Sequence, residues 1–192
     1  MKNIFGVPIY ENIITLPDHE HNRIKNHILV NEKYCKKPDI WLCDLVTSYQ
    51  VRTDLFAEDD FEFLASVLNT HANQFATEID FDNKNYEIFM TSMWFNTYRK
   101  NQSQEKHDHG KSFLSCAFIL DAPEGASDFM MYNPLKEGLL GYPTNKENNL
   151  LLKRIKAEKG KLIIFPGWLD HGVMLNQTNE PRISISCNWS IR

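Results

Sequence analysis

The sequence predicts a mainly β protein, an antiparallel β core flanked by helices near its N-terminus. Two long stretches, residues 86–98 and 182–191, alternate in polarity with a period of two, which is the side-chain period of a strand with one buried face. Apolar spacing of three and four residues, the mark of an amphipathic helix, is confined to the first 80 residues. Helical and strand patterns follow one another without the βαβ alternation that a doubly wound parallel sheet requires. With 192 residues, 42% hydrophobic and 24% charged, the chain has the length and composition of a single globular domain, 1–192. Within it, 1–80 read as helical support with an edge strand and 86–192 as the β core.

Composition also excludes partners. The net charge is −4 with both signs interspersed, so no basic stripe is available to neutralise a row of phosphates, and no nucleic acid is expected. The apolar start is broken by Gly6, Pro8 and Glu11, so it forms neither a signal-peptide core nor a membrane span, and a cytoplasmic location follows. Cys35, Cys43, Cys116 and Cys187 show no CxxC pairing and read as free thiols, the last two as small core residues. A homodimer is compatible with this composition.

In chain order, residues 4–16 alternate irregularly around Pro8 and suit an edge strand. Asp18 is the expected cap of a short helix with Ile24, His27 and Ile28 on one face, and His19, His21 and His27 read as solvated surface histidines. Residues 31–56 carry mixed polarity, with a strand expected near 45–51. From Asp59 or Asp60, taken as the cap, Phe61, Leu64, Ala65, Leu68, His71, Ala72 and Phe75 trace a second helix, with His71 a packed, hydrogen-bonded core residue. The run 86–98 then places Ile88, Met90, Ser92, Trp94, Asn96 and Tyr98 on one strand face. A polar corner leads to His107-Asp108-His109 and the apolar strand SFLSCAFIL. Residues 121–149 read mostly as loop with a brief strand at 128–132, and such a long loop is placed to cover a site. Strands are expected over 150–158 and 161–165. In the last stretch Arg182, Ser184, Ser186, Asn188 and Ser190 share a polar face opposite Ile183, Ile185, Cys187, Trp189 and Ile191.

Three histidines remain for chemistry. On an extended segment His107 and His109 point the same way, and His171 arrives from a distant strand. Three imidazoles on one face of a divalent ion leave positions open, as oxygen activation at non-haem iron needs. The competing reading of H-x-H is two polar residues that begin a strand. Arg182 has the planar fork that holds a carboxylate bidentately, and Ser184 faces the same way; the alternative for Arg182 is a surface salt bridge. Trp168 beside His171 reads as packing.

These residues carry a resemblance. The chain resembles the 2-oxoglutarate/Fe(II)-dependent oxygenases, which combine a proximal His-x-Asp motif, a distal His and an Arg-x-Ser anchor. It is more closely similar to small oxygenases with Trp-x-Asn, His-x-His with nearby serines, and Phe-Pro-x-Trp-Leu-x-His-x-Val followed by Arg-Ile-Ser. Here these are Trp94-Phe95-Asn96, His107-Asp108-His109 with Ser112 and Ser115, the run from Phe165 to Val173, and Arg182-Ile183-Ser184. The resemblance implies a double-stranded β-helix (jelly roll) fold. It further implies Fe(II) as cofactor, 2-oxoglutarate as a cosubstrate decarboxylated to succinate, and hydroxylase-type oxidation of a small-molecule or peptide substrate. His107, His109 and His171 would hold the metal, Arg182 and Ser184 the far carboxylate of 2-oxoglutarate, and Asn96 and Tyr98 would touch cosubstrate or substrate. The superfamily's usual acid falls at position 109, where this chain has histidine. Either His109 completes the set or the corner bends so that Asp108 supplies a carboxylate. Two other readings stay open: a cupin-like three-histidine metalloenzyme that does not use 2-oxoglutarate, which leaves Arg182 unexplained, and a non-catalytic jelly-roll binding module.

Overall fold

The computed structural model describes residues 6–135 and 151–192. Its frame is a pair of facing antiparallel sheets with two helices packed on the outside of the larger one. In chain order the elements are β1 (Tyr10–Ile13), α1 (Asp18–Asn31), β2 (Val46–Thr47), α2 (Glu62–Glu78), β3 (Ile88–Tyr98), β4 (Gln104–His107) and β5 (Leu114–Asp121). Then follow β6 (Phe129–Tyr132), β7 (Leu152–Ile155), β8 (Lys161–Pro166), β9 (His171–Val173) and β10 (Arg182–Ile191). The larger sheet runs β1-β8-β5-β10-β3-β2 and the smaller β4-β9-β6-β7. This is the jelly-roll architecture, and no helix among the described residues is long and apolar enough to cross a membrane.

The larger sheet buries both of its faces. Its outer face meets the stripes of α1 (Ile24, Ile28) and α2 (Leu64, Leu68, Ala72, Phe75), and Phe95, Phe118, Ile185 and Trp189 from the strands complete that core. Its inner face contributes Ala117, Ile163 and Phe165 to a second cluster with Phe129, Met131, Ile155 and Val173 of the smaller sheet. The period-two pattern therefore separates two interiors rather than inside from outside.

Several sequence expectations are corrected. Neither helix is capped by an aspartate side chain. Pro17 precedes α1, so Asp18 sits in the first turn, where its charge favours the positive end of the dipole. Phe61 precedes α2, and Asp60 instead accepts from His27 at 2.7 Å. Of the three supposed surface histidines, His21 is buried against Asp121 at 3.3 Å and His27 packs edge-on to Phe61; His19 alone is solvated. The strand expected near 45–51 shortens to β2. The β3 pattern is interrupted because Asn188 pairs with Ser92 and Trp189 with Met90, leaving Thr91 as an extra residue. This bulge re-phases the strand, so Met90 and Ile88 join the outer core instead of sharing a face with Trp94, Asn96 and Tyr98. His71 behaves as expected, its Nδ1 2.8 Å from the Tyr10 hydroxyl. Of the loop expected over 121–149, residues 136–149 lie outside the described residues, as does Leu150 of the strand expected next.

Candidate metal and cosubstrate site

The site lies between the sheets, on the polar face of β10 and under the β4–β9 pair. His107 ends β4 and is the cross-strand partner of His171, which begins β9. His109 follows on an extended segment whose backbone N–H donates to Gly167 O at 2.8 Å. The turn around Gly167 presses on the turn that follows His109, since a Cβ at 167 would stand 2.2 Å from Ser112 O. The outcome is a cluster in which the ligand-capable atoms of His107, His109 and His171 all lie within 4.8 Å of one another.

Each imidazole is oriented through Nδ1. Nδ1–H of His107 donates to Glu105 O at 2.8 Å and that of His171 to Leu169 O at 2.8 Å. Nδ1–H of His109 donates to Asn188 Oδ1 at 2.6 Å, with Ser115 Oγ at 2.9 Å. A carbonyl acceptor fixes the proton on Nδ1, which leaves the Nε2 lone pair of each neutral ring for the centre, as in metal-binding histidines. Burial, reinforced by the neighbouring imidazoles, holds His171 well below the usual imidazole pKa and lowers His109 to about 4. Burial also lowers His107. An imidazole must be unprotonated to ligate a metal ion. Asp108 is exposed and its Oδ1 accepts from Gly110 N at 2.7 Å, and the close cluster of ligand-capable groups contains His109 and not Asp108.

The other end of the site is built by β3 and β10. Arg182 is fully buried, and the surface salt-bridge alternative falls with that. Its guanidinium lies over the Tyr98 ring at 5.0 Å and donates through Nη1 to Ser184 Oγ at 3.3 Å, while Nε and Nη2 have no partner among the described residues. Burial draws its pKa down and raises that of Tyr98. Asn96 donates to Ser186 Oγ at 3.2 Å, and its buried Oδ1 has no partner among the described residues. Buried polar atoms without partners cost about 1–3 kcal/mol each, and here they converge on a cavity of about 250 Å³ lined by all the expected site residues, His107, His109, His171, Arg182, Ser184, Asn96 and Tyr98.

Trp41 and Tyr49, which sequence reasoning left in an unassigned segment, also line this cavity. Their rings stack at 5.5 Å, and Trp41 stands 6.4 Å from His107. Glu105 fixes the loop in place by accepting from Leu42 N and Cys43 N, both at 2.9 Å. Nothing local in the sequence joins Glu105 to a loop some sixty residues earlier. Trp168, expected to pack, is half exposed at 52%.

Residues 92–188, half of the chain, match the family model described as "Putative 2OG-Fe(II) oxygenase". The chain belongs to this family. It is a non-haem Fe(II)- and 2-oxoglutarate-dependent oxygenase, and the matched segment runs from the inner face of β3 to Asn188. Solved structures agree on the fold. A prolyl-4-hydroxylase from Pseudomonas putida superposes with a TM-score of 0.66 at 9% identity, covering 95% of this chain and 92% of the other. The viral collagen prolyl hydroxylase of Paramecium Bursaria Chlorella virus-1 gives 0.59 at 13% identity over 94% of each chain. HygX from Streptomyces hygroscopicus, solved with nickel and 2-oxoglutarate, gives 0.60 at 11% identity, covering 96% of this chain and 83% of that one. A search of curated proteins returned no match.

The oxygenase's residues fit both required groups. Three neutral nitrogens from one strand pair and an adjoining turn suit a divalent first-row metal. A buried guanidinium with two unpartnered N–H-bearing nitrogens suits a carboxylate.

Proposed function

We propose that this oxygenase holds Fe(II) on the Nε2 atoms of His107, His109 and His171 and the far carboxylate of 2-oxoglutarate on Arg182 and Ser184. The substrate is a small molecule or peptide that reaches the metal past Trp41 and Tyr49. The observation that carries this reading is Arg182: a fully buried cation whose Nε and Nη2 have no acceptor among the described residues, in the same cavity as the histidine cluster. A cupin-like three-histidine enzyme without 2-oxoglutarate, or a non-catalytic jelly roll, would carry that desolvated charge with no hydrogen-bonded carboxylate to pair it.

Fe(II) and 2-oxoglutarate, when bound, supply the oxygen activation and the decarboxylation to succinate and carbon dioxide that side chains lack. The protein's own residues orient and shield. Arg182 and Ser184 fix one end of the cosubstrate, and the Tyr98 ring lies 5.0 Å from the guanidinium carbon. The unpaired Oδ1 of Asn96 accepts a hydrogen bond from whatever lies along β3. Phe129 and Phe165 pack on His171, with ring centroids 5.5 and 4.6 Å away, and keep water from that ring. The four cysteines are free, which supports a cytoplasmic setting.

Anaerobic titration of the Fe(II) protein with 2-oxoglutarate tests the reading. A weak visible metal-to-ligand band is expected in wild type and is expected to be lost in Arg182→Ala. Absence of the band in wild type, or its persistence in the variant, would overturn the assignment.

A further inference from the structure

The residue that departs from the oxygenase pattern, His109, is the one whose Nδ1 is held by side chains, where the other two use backbone carbonyls. Asn188 Oδ1 lies 2.6 Å from His109 Nδ1 and accepts the Ser115 hydroxyl at 2.7 Å, while Ser115 Oγ is itself 2.9 Å from Nδ1. The three side chains close a hydrogen-bonded triangle. Ser115 and Asn188 are cross-strand partners on β5 and β10 and so face the same interior. Asn188 is placed where the register of β10 against β3 shifts, and its backbone O accepts from Thr91 Oγ1 at 3.2 Å.

We propose that Asn188, supported by Ser115, is the positioning residue that makes His109 serve in place of the usual carboxylate. The inference rests on the metal assignment above. An amide oxygen can only accept, so it keeps the proton on Nδ1 and the Nε2 lone pair toward the metal. It also carries no charge. A carboxylate in the same place would make the imidazole a stronger, more anionic donor. The amide leaves the centre with three neutral donors and no charged group hydrogen-bonded to His109 Nδ1, which favours the divalent over the trivalent state of iron. Replacement of an acid by His at position 109 is thus matched by a neutral acceptor on β10, and the two positions function as one unit.

The test is metal binding to apoprotein followed by calorimetry and by the visible spectrum of the Co(II) form, for wild type, Asn188→Leu, Asn188→Asp and Ser115→Ala. The melting temperature of each apoprotein reports folding. Asn188→Leu is expected to weaken Co(II) binding about 10–100-fold and to change the Co(II) spectrum, and Ser115→Ala to weaken it less. Asn188→Asp is expected to restore wild-type affinity or exceed it, and to lower the midpoint potential of the iron form. Wild-type affinity and spectrum in a folded Asn188→Leu protein, or failure of a folded Asn188→Asp protein to restore binding, would overturn the proposal while leaving the metal assignment standing. Absence of stoichiometric metal on wild type would overturn both.

Discussion

Over its first half, from Arg182 to Ser186, β10 is buried on both faces, yet the two faces do opposite work. Ile183, Ile185, Cys187 and Trp189 are at most 1% exposed, and so is Arg182 on the other face, with Ser184 at 3%. On the apolar face every contact is made in the folded chain, and the one polar atom of note, Trp189 Nε1, donates to Asn69 Oδ1 at 2.7 Å. On the polar face Arg182 is left with unmatched donors. Burial alone therefore does not reveal what a position is for. A satisfied interior stabilises the protein; an unsatisfied one is completed by something that binds.

That contrast can be broken experimentally. Trp189→Ala should cost about 3–5 kcal/mol of stability, measured by urea unfolding, with little change in metal stoichiometry of the molecules that remain folded. Arg182→Met should reverse the pattern. Affinity for 2-oxoglutarate in the metal-loaded protein should fall by about 2–5 kcal/mol, while the apoprotein should melt at the same temperature or higher, because a desolvated cation is replaced by an apolar chain. A lower apoprotein melting temperature would show that the two faces are energetically alike.

The histidine cluster should add a pH signature. Its imidazoles have folded pKa values below the unfolded value near 6.5, so the unfolded chain binds protons first as pH falls. Apoprotein stability should be indifferent to these groups above about pH 7 and should decline between there and about pH 4, the value to which His109 is lowered. Thermal melts across that window check the slope, and His109→Gln should flatten it. The smallest effect expected is that of Asn69→Ala, about 0.5–1.5 kcal/mol in the same unfolding assay, with cosubstrate affinity unchanged.

The division of β10 into two faces was legible in the sequence because alternation is a local property, and so was the position of Arg182 and Ser184 on the polar side. The pairing of His107 with His109 followed from the same periodicity. The location of Trp41 and Tyr49 was not legible, since the loop that carries them is positioned by Glu105 through backbone N–H groups that no residue pattern records. The bulge at Thr91 was equally hidden, because a single inserted residue leaves an alternation that looks continuous while exchanging the faces of Ile88 and Met90. The aspartates near the start of both helices suggested caps, but Asp18 lies inside the first turn of α1 and Asp60 pairs with His27 instead, a tertiary partner that a local rule cannot weigh.

The contact of the Gly167 turn against Ser112 has a consequence for ion choice. It fastens the segment bearing His109 to the segment leading to His171, and β4–β9 pairing fastens His107 to His171, so the three nitrogens are set before any ion arrives. On the proposed metal assignment, such a face would act as a rigid tripodal chelator rather than as a flexible chain that wraps its guest. It would then discriminate among divalent ions by the fit of a fixed bite, the entropy of bringing the donors together being met during folding instead of during binding.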